Sequence, residues 1–342
     1  MHLSGPEGLM SRGALVVSLD FEMAWGNRRS PILGASEAEL LRGTRTVVTR
    51  LLEIFDRYGV SATWATVGHL MMRREDFNGG RFDYNWQAPR FAWFQGGWYE
   101  GIPAFGEDGA DVFYAPDLVE KIVNCPTYQE LGAHTFSHID VGDEACPAET
   151  ARAEFSHCQR LAQRWGRKLN SVVFPHNYAG HLDVLEETGY RCYRGLNCEW
   201  YLFGLNWNKS RRAARAIIQP MRYLDEKWPI CPPLPSPRRV GRLWEIPHSM
   251  FFPGLHGISR YISPQDRVNR AVRGLKRAVE RGRLFSLWTH PENMLVGADA
   301  LLGAFEEICK EAAAMRDAGK LDILPMEEAT GRLEAGKDTW SD

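Results

Sequence analysis

Apolar and polar positions alternate along the chain between two periods. Residues 14–21 (ALVVSLDF) form a near-continuous aliphatic run of strand length that ends among acidic residues. From Glu37 to Tyr58 the spacing changes: Leu40, Leu41, Val47, Val48, Leu51, Ile54 and Phe55 recur at helical intervals, and Gly59 supplies a stop. The same alternation continues with a strand at 60–68, a helix at 115–124 and a strand in ELGAHT. A helix at 147–166, a strand at 171–175, a helix at 180–188 and a strand at 190–195 follow. Strands at 242–247, 283–290 and 321–325 and helices at 264–281 and 298–318 complete the pattern. Seven or eight strands, nearly all followed by a helix, predict an α/β fold with parallel strands closed into a barrel. No GxGxxG follows the first strand, which speaks against a dinucleotide fold.

Two stretches break the alternation without suggesting a second domain. Residues 78–113 carry Tyr84, Trp86, Phe91, Trp93, Phe94, Trp98 and Tyr99 among glycines and prolines, too aromatic for a solvated loop. They are expected to fold over the barrel rim, either as a small core of their own or as faces for sugar rings. Residues 206–241 join a basic segment to a proline-rich one; a surface helix and an extended connector is one reading, and a phosphate site at Arg211, Arg212 and Arg215 is the other. The expected organisation is a flexible N-terminus over 1–12, one barrel over 13–330 holding both insertions, and a tail over 331–342.

Composition narrows the partners. The chain has 342 residues, 44% hydrophobic and 25% charged, which is ordinary for a globular protein. A net charge of −2 gives no general attraction to nucleic acid, and a small polar substrate is the easier partner. No segment reaches the length of an apolar membrane span, and the start lacks the pattern of a signal peptide, so a cytoplasmic location is expected. Seven cysteines without a CxxC pair read as reduced, mostly buried thiols.

Candidate chemistry gathers at the carboxyl ends of the expected strands. Asp20 and Glu22, His69, His134, Pro175 and His176, His248 and His290 all fall there, the end of a barrel that carries catalysis. His134 and His138 lie four residues apart, a spacing that one helical turn would place on one face for a shared ion. With one carboxylate from SLDFE they make an open three-ligand set in which the other carboxylate is free to act as base toward water.

The order of the acidic pair Asp20 and Glu22, then HTFSH (134–138), VVFPHN (172–177) and LWTHP (287–291) resembles the polysaccharide deacetylases of carbohydrate esterase family 4, the NodB homology group. The resemblance spans roughly residues 13–325. It implies a distorted seven-stranded β/α barrel and a divalent ion, zinc foremost, used to remove N-acetyl groups from amino sugars. It also implies His134 and His138 as metal ligands, Asp20 as catalytic base, the backbone N–H of His176 as oxyanion donor and His290 as general acid.

The chain departs from the family pattern in three places. Phe21 stands where the metal carboxylate usually follows the base, so Glu22 is the expected ligand. Val173 stands where an arginine usually orients the base, leaving His176 or Asn177 to take part of that role. RLWEIPHSMFFPG (242–254) does not match the usual fourth motif. His69, Trp25, Asn177, Glu245, His248 and Trp93 are candidates for substrate contact. The expected activity is metal-dependent removal of an N-acyl group, most often acetyl, from an amino sugar or a soluble glycan precursor made for surface glycan. The alternatives are an N-deformylase, a ureide amidohydrolase, or a sugar-binding pseudoenzyme.

Overall fold

A computed structural model describes residues 12–26, 33–79, 81–94, 96–196, 220–221, 223–225, 227 and 231–341. The phosphate-site candidates Arg211, Arg212 and Arg215, and residues 1–11 of the expected flexible N-terminus, lie outside these.

The first strand, β1 (Gly13–Phe21), is buried at all nine positions, as its unbroken apolar run requires of a central parallel strand. On one edge it pairs with β2 (Thr63–Thr66), which continues through β3 (Glu130–Ala133), β4 (Ser171–Val172) and β5 (Cys192–Gly195), all parallel. On the other edge β1 pairs with β9 (Leu284–Thr289), while β10 (Leu321–Leu324) pairs with its first four residues on the β2 edge, before the β2 pairing begins. Residues 243–251 draw the two sides together. Their first half, β7 (Leu243–Pro247), pairs with β5, and their end, β8 (Met250–Phe251), pairs with β9. The expected barrel is therefore formed, with one run of chain serving both margins.

A short antiparallel strand, β6 (Arg238–Val240), lies outside β7. It is exposed and charged, as an edge that resists further pairing should be.

Side-chain alternation in β1 sends Leu15, Val17, Leu19 and Phe21 into the main core cluster and Ala14 and Val16 into a second one with Val173, Cys192 and Ile246. Ser18 and Asp20 continue the parity of Ala14 and Val16 toward the carboxyl rim.

Around the strands lie α1 (Ala35–Arg42), α2 (Thr44–Tyr58), α3 (Pro116–Val123), α4 (Ala148–Arg164) and α5 (Leu182–Glu187). They are followed by α6 (Pro264–Arg281), α7 (Ala298–Asp317) and α8 (Met326–Glu334). The single helix expected over 37–58 is two, broken at Gly43, where a β-carbon would crowd Leu295. The expected C-terminal tail begins inside α8, and Trp340 beyond it is buried in the second cluster, with its indole N–H donated to the Arg12 carbonyl. The six described cysteines are free thiols, four of them buried. No helix among the described residues is long and apolar enough to cross a membrane.

Candidate active site

The site is assembled at the carboxyl ends of β1, β3, β5 and β9. His134 leaves β3 with its backbone N–H on the Thr66 carbonyl and its Nδ1 2.7 Å from the Val173 carbonyl oxygen. A carbonyl only accepts, so Nδ1 carries the proton and Nε2 presents a lone pair. That Nε2 lies 2.8 Å from Glu22 Oε1, and His138 Nε2 lies 3.2 Å from the same oxygen. All three groups are buried. A lone pair aimed at a carboxylate oxygen is repulsive unless a cation stands between them, so this donor set fits a divalent ion held by Glu22, His134 and His138.

The two histidines are not carried on a helical turn, as their spacing suggested. The stretch after β3 is non-helical, and Thr135 and His138 both take left-handed backbone angles, φ 56° and 58°. These two reversals fold the loop back so that both rings, 4.9 Å apart at their centroids, face one point. Glu22 is positioned by a tight turn through Met23–Trp25. The turn closes at Gly26, where a β-carbon would sit 1.6 Å from Glu22 Oε2.

Beside this set Asp20 lies in a buried fork. Arg194 of β5 donates from Nη1 to Oδ1 at 2.5 Å and from Nη2 to Oδ2 at 2.7 Å. It also reaches Asn177 Oδ1 at 3.0 Å and Ser18 Oγ at 3.2 Å, and its guanidinium stacks 4.1 Å over Trp288. The partner missing from position 173 is thus supplied by the next strand. Neither His176 nor Asn177 replaces it; Asn177 instead accepts from the same arginine. Burial alone would raise the Asp20 carboxyl, but the charge and hydrogen bonds of Arg194, with His290 and His134, bring it below its ordinary value.

His290 closes the other side. Its Nε2 is 3.4 Å from Glu22 Oε1 and 3.8 Å from Asp20 Oδ2, and its Nδ1 is 3.1 Å from the Asn293 side-chain amide. Burial would lower this imidazole; the negative charges of Glu22, Asp20 and Glu292 outweigh it and hold the group up to about 9.

His176 sits in a short turn, Pro175–Asn177, in which both His176 and Asn177 have left-handed backbone (φ 52° and 54°). Its Nδ1 is 2.7 Å from Asp140 Oδ1, which orients the ring toward the mouth beside His138. Trp93, 42% exposed, stacks on Phe91 and meets the His176 ring edge-on at 5.9 Å.

Four expected substrate contacts are not brought to this mouth. His69 is wholly buried, with Nδ1 on the Phe136 carbonyl (2.7 Å) and Nε2 on the Tyr84 hydroxyl (2.6 Å). Trp25 is buried against His69 and donates to the Phe113 carbonyl. Glu245 is buried between the Tyr193 hydroxyl and Arg238. His248 is buried with Nδ1 3.2 Å from the Gly195 carbonyl; burial first, then the charge of Arg194, pushes it down to about 3, so it is neutral.

Residues 41–193 match the family model described as polysaccharide deacetylase. Among solved structures, a protein from Mycobacterium smegmatis named as a candidate polysaccharide deacetylase is 17% identical, with 98% of this chain and 94% of that one covered and a TM-score of 0.58. A similarly named protein of Pseudomonas aeruginosa PAO1 is 14% identical over 94% and 91% of the two chains, with a TM-score of 0.58. Puue allantoinase is 13% identical over 97% and 92%, with a TM-score of 0.59. At these identities the structural likenesses establish the fold alone. No protein of curated function matches the chain by sequence. The stretch from the end of α1 to β5 thus carries the polysaccharide deacetylase match, and the barrel around it is the fold these solved structures share.

Proposed function

We propose that the protein removes an N-acyl group, acetyl foremost, from an amino sugar or a sugar-containing glycan precursor, with a divalent ion, zinc foremost, held by Glu22, His134 and His138. The observation that carries this reading is the meeting of two imidazole nitrogens and one carboxylate oxygen beside the separately held Asp20 and His290. When bound, a divalent ion supplies Lewis-acid polarisation and lowers the pKa of water toward about 7.

The protein's own groups do the rest. Asp20, kept ionised by the Arg194 fork, accepts the proton of the attacking water at a carboxylate oxygen. His290 carries its proton on the Nε2 that faces the site and gives it to the departing amine. The backbone N–H of His176 is assigned to the carbonyl oxygen as negative charge develops, an interaction of about 2.7–4 kcal/mol where such donors have been removed elsewhere. Trp93 offers an exposed ring face at the mouth for the apolar side of a sugar.

The test is acetate and formate release by the zinc-loaded protein from N-acyl amino sugars and their nucleotide conjugates, with allantoin as a ureide control. Acetate from at least one amino sugar is expected. Turnover of allantoin alone would move the activity to ureides, and no turnover by a protein that holds zinc would mark it as a binding protein.

A further inference from the structure

We propose that the aromatic insertion and Glu154 of α4 form a brace that sets the metal-binding loop, gripping it at Ser137, between the two ligand histidines and next to His138. This inference rests on the reading of His134 and His138 as metal ligands.

The three residues before His138 are each fixed from outside the loop. The Thr135 carbonyl accepts the Gly68 N–H at 3.0 Å, and the Phe136 carbonyl accepts both the backbone N–H and the ring Nδ1–H of His69, at 3.0 and 2.7 Å. Ser137 is held on every polar atom. Its carbonyl accepts the indole N–H of Trp98 at 2.9 Å, while its N–H and hydroxyl donate to the two oxygens of Glu154 at 2.8 and 2.7 Å.

Both holders are deeply buried, and burial pushes the Glu154 carboxyl up to about 7, so the position is one where a carboxylate stays only with good partners. The insertion reaches the same residues a second time. The Tyr99 hydroxyl lies 3.4 Å from Glu154 Oε1 and itself accepts the Trp86 indole N–H at 2.9 Å. Tyr99 stacks on Tyr84 at 3.6 Å, and Tyr84 donates to His69 Nε2, since His69 Nδ1–H is given to Phe136.

The geometry explains why the loop needs this grip. Left-handed backbone at two non-glycine residues is strained and persists only where the surroundings over-determine it. Those two residues bracket Phe136 and Ser137, and the second of them, His138, is itself a ligand. Removing the hydrogen bonds on Ser137 therefore releases His138 first. Gly68 belongs to the same fit: a β-carbon there would lie 2.6 Å from the Phe136 ring. Trp98, Glu154 and His69 are thus positioning residues that touch neither substrate nor ion.

The experiment measures the zinc Kd of the full chain by chelator competition, with the visible spectrum of the cobalt-substituted protein as a second readout of ligand geometry. Wild type is compared with Trp98→Phe, which keeps a ring but loses the indole N–H, and with Glu154→Gln, which leaves one oxygen for two donors. Phe105→Leu, in the part of the insertion packed on Phe77 and Tyr114 away from Ser137, is the control. Trp98→Phe and Glu154→Gln are expected to weaken zinc by roughly 10–100-fold and to alter the cobalt spectrum, with Phe105→Leu within about twofold of wild type. Should either variant fail to fold, Ser137→Ala, which deletes one hydroxyl, replaces it with an expected loss of about threefold to tenfold. Folded Trp98→Phe and Glu154→Gln with wild-type Kd would overturn the brace alone, as would an equal loss in Phe105→Leu. A wild-type chain that binds no zinc would overturn the metal reading and the brace together.

Discussion

Replacing Arg194 by methionine isolates the feature that most distinguishes this site. Methionine fills much of the arginine stem but leaves the Asp20 carboxylate, buried within the rim, without the two hydrogen bonds of 2.5 and 2.7 Å that hold it. Breaking a buried pair from one side costs about 3–5 kcal/mol of stability, because the remaining charge is uncompensated. The rate should suffer separately. Each charge-assisted hydrogen bond is worth about 1.5–3 kcal/mol, and together they set both the direction and the ionisation of a base that contributes roughly 10²–10⁴ in rate. We expect kcat/KM to fall by about 10²–10³, almost wholly in kcat, since Arg194 stands behind the carboxylate and not at the mouth.

The acidic limb of the pH profile should move upward. Burial, which raises the Asp20 carboxyl, would then be opposed only by more distant histidines. Arg194→Lys keeps the charge with a single arm and should fall between, at about tenfold below wild type. The assay is steady-state acyl release across pH, on protein whose zinc content and thermal midpoint are recorded, together with Asp20→Asn and the double variant. If Arg194 acts through Asp20, removing it from Asp20→Asn should cost less than about threefold more. Additive losses in the double variant, or an unshifted pH profile in Arg194→Met, would show that Arg194 does not act through Asp20.

Three further outcomes are expected. Gly26→Ala should fold with little change in thermal midpoint, because the clash falls on the carboxylate end of one side chain and not on backbone, yet lose about 10–100-fold in zinc affinity by chelator competition. His290→Ala should keep its zinc while losing the alkaline limb of kcat/KM and about 10²–10⁴ in rate; loss of zinc instead would make it a ligand. Glu130 and Glu154 are both raised to about 7, by burial first. Each native carboxyl then binds protons that the unfolded chain has released, so urea-unfolding stability should decline as pH rises from about 4.5 to about 7, less steeply in Glu130→Gln.

Most of the barrel was legible because its strands are nearly all-apolar runs separated by amphipathic helices, and both periods survive in the sequence. What escaped lacked such a signal. Arg238–Val240 is a charged edge pair with no alternation, and Met250–Phe251 is too short to show one. In α8 the buried face is Met326, Ala329, Thr330 and Leu333, of which only two are large and apolar.

At the site, the acids and histidines stood at strand ends and could be gathered by that position alone. The helical placement of His134 and His138 failed because spacing cannot report left-handed backbone at Thr135 and His138. Arg194 did leave a trace. It lies inside the apolar strand YRCYRG on the same parity as Cys192, and an arginine in a buried strand requires an anionic partner. His69 and Trp25 shared the strand-end and aromatic signals of true site residues, but burial against one another took them away from the mouth.

In the proposed site Glu22, with His134 and His138, holds the ion while Asp20 serves as base, and the zinc content of purified Glu22→Gln beside Asp20→Asn separates the two roles. Glu22 Oε1 is the oxygen shared by both histidines, whereas both oxygens of Asp20 are committed to Arg194. Asp20→Asn is expected to retain stoichiometric zinc and be inactive, and Glu22→Gln to lose most of its zinc affinity. Zinc retained by Glu22→Gln and lost by Asp20→Asn would instead make Asp20 the ligand.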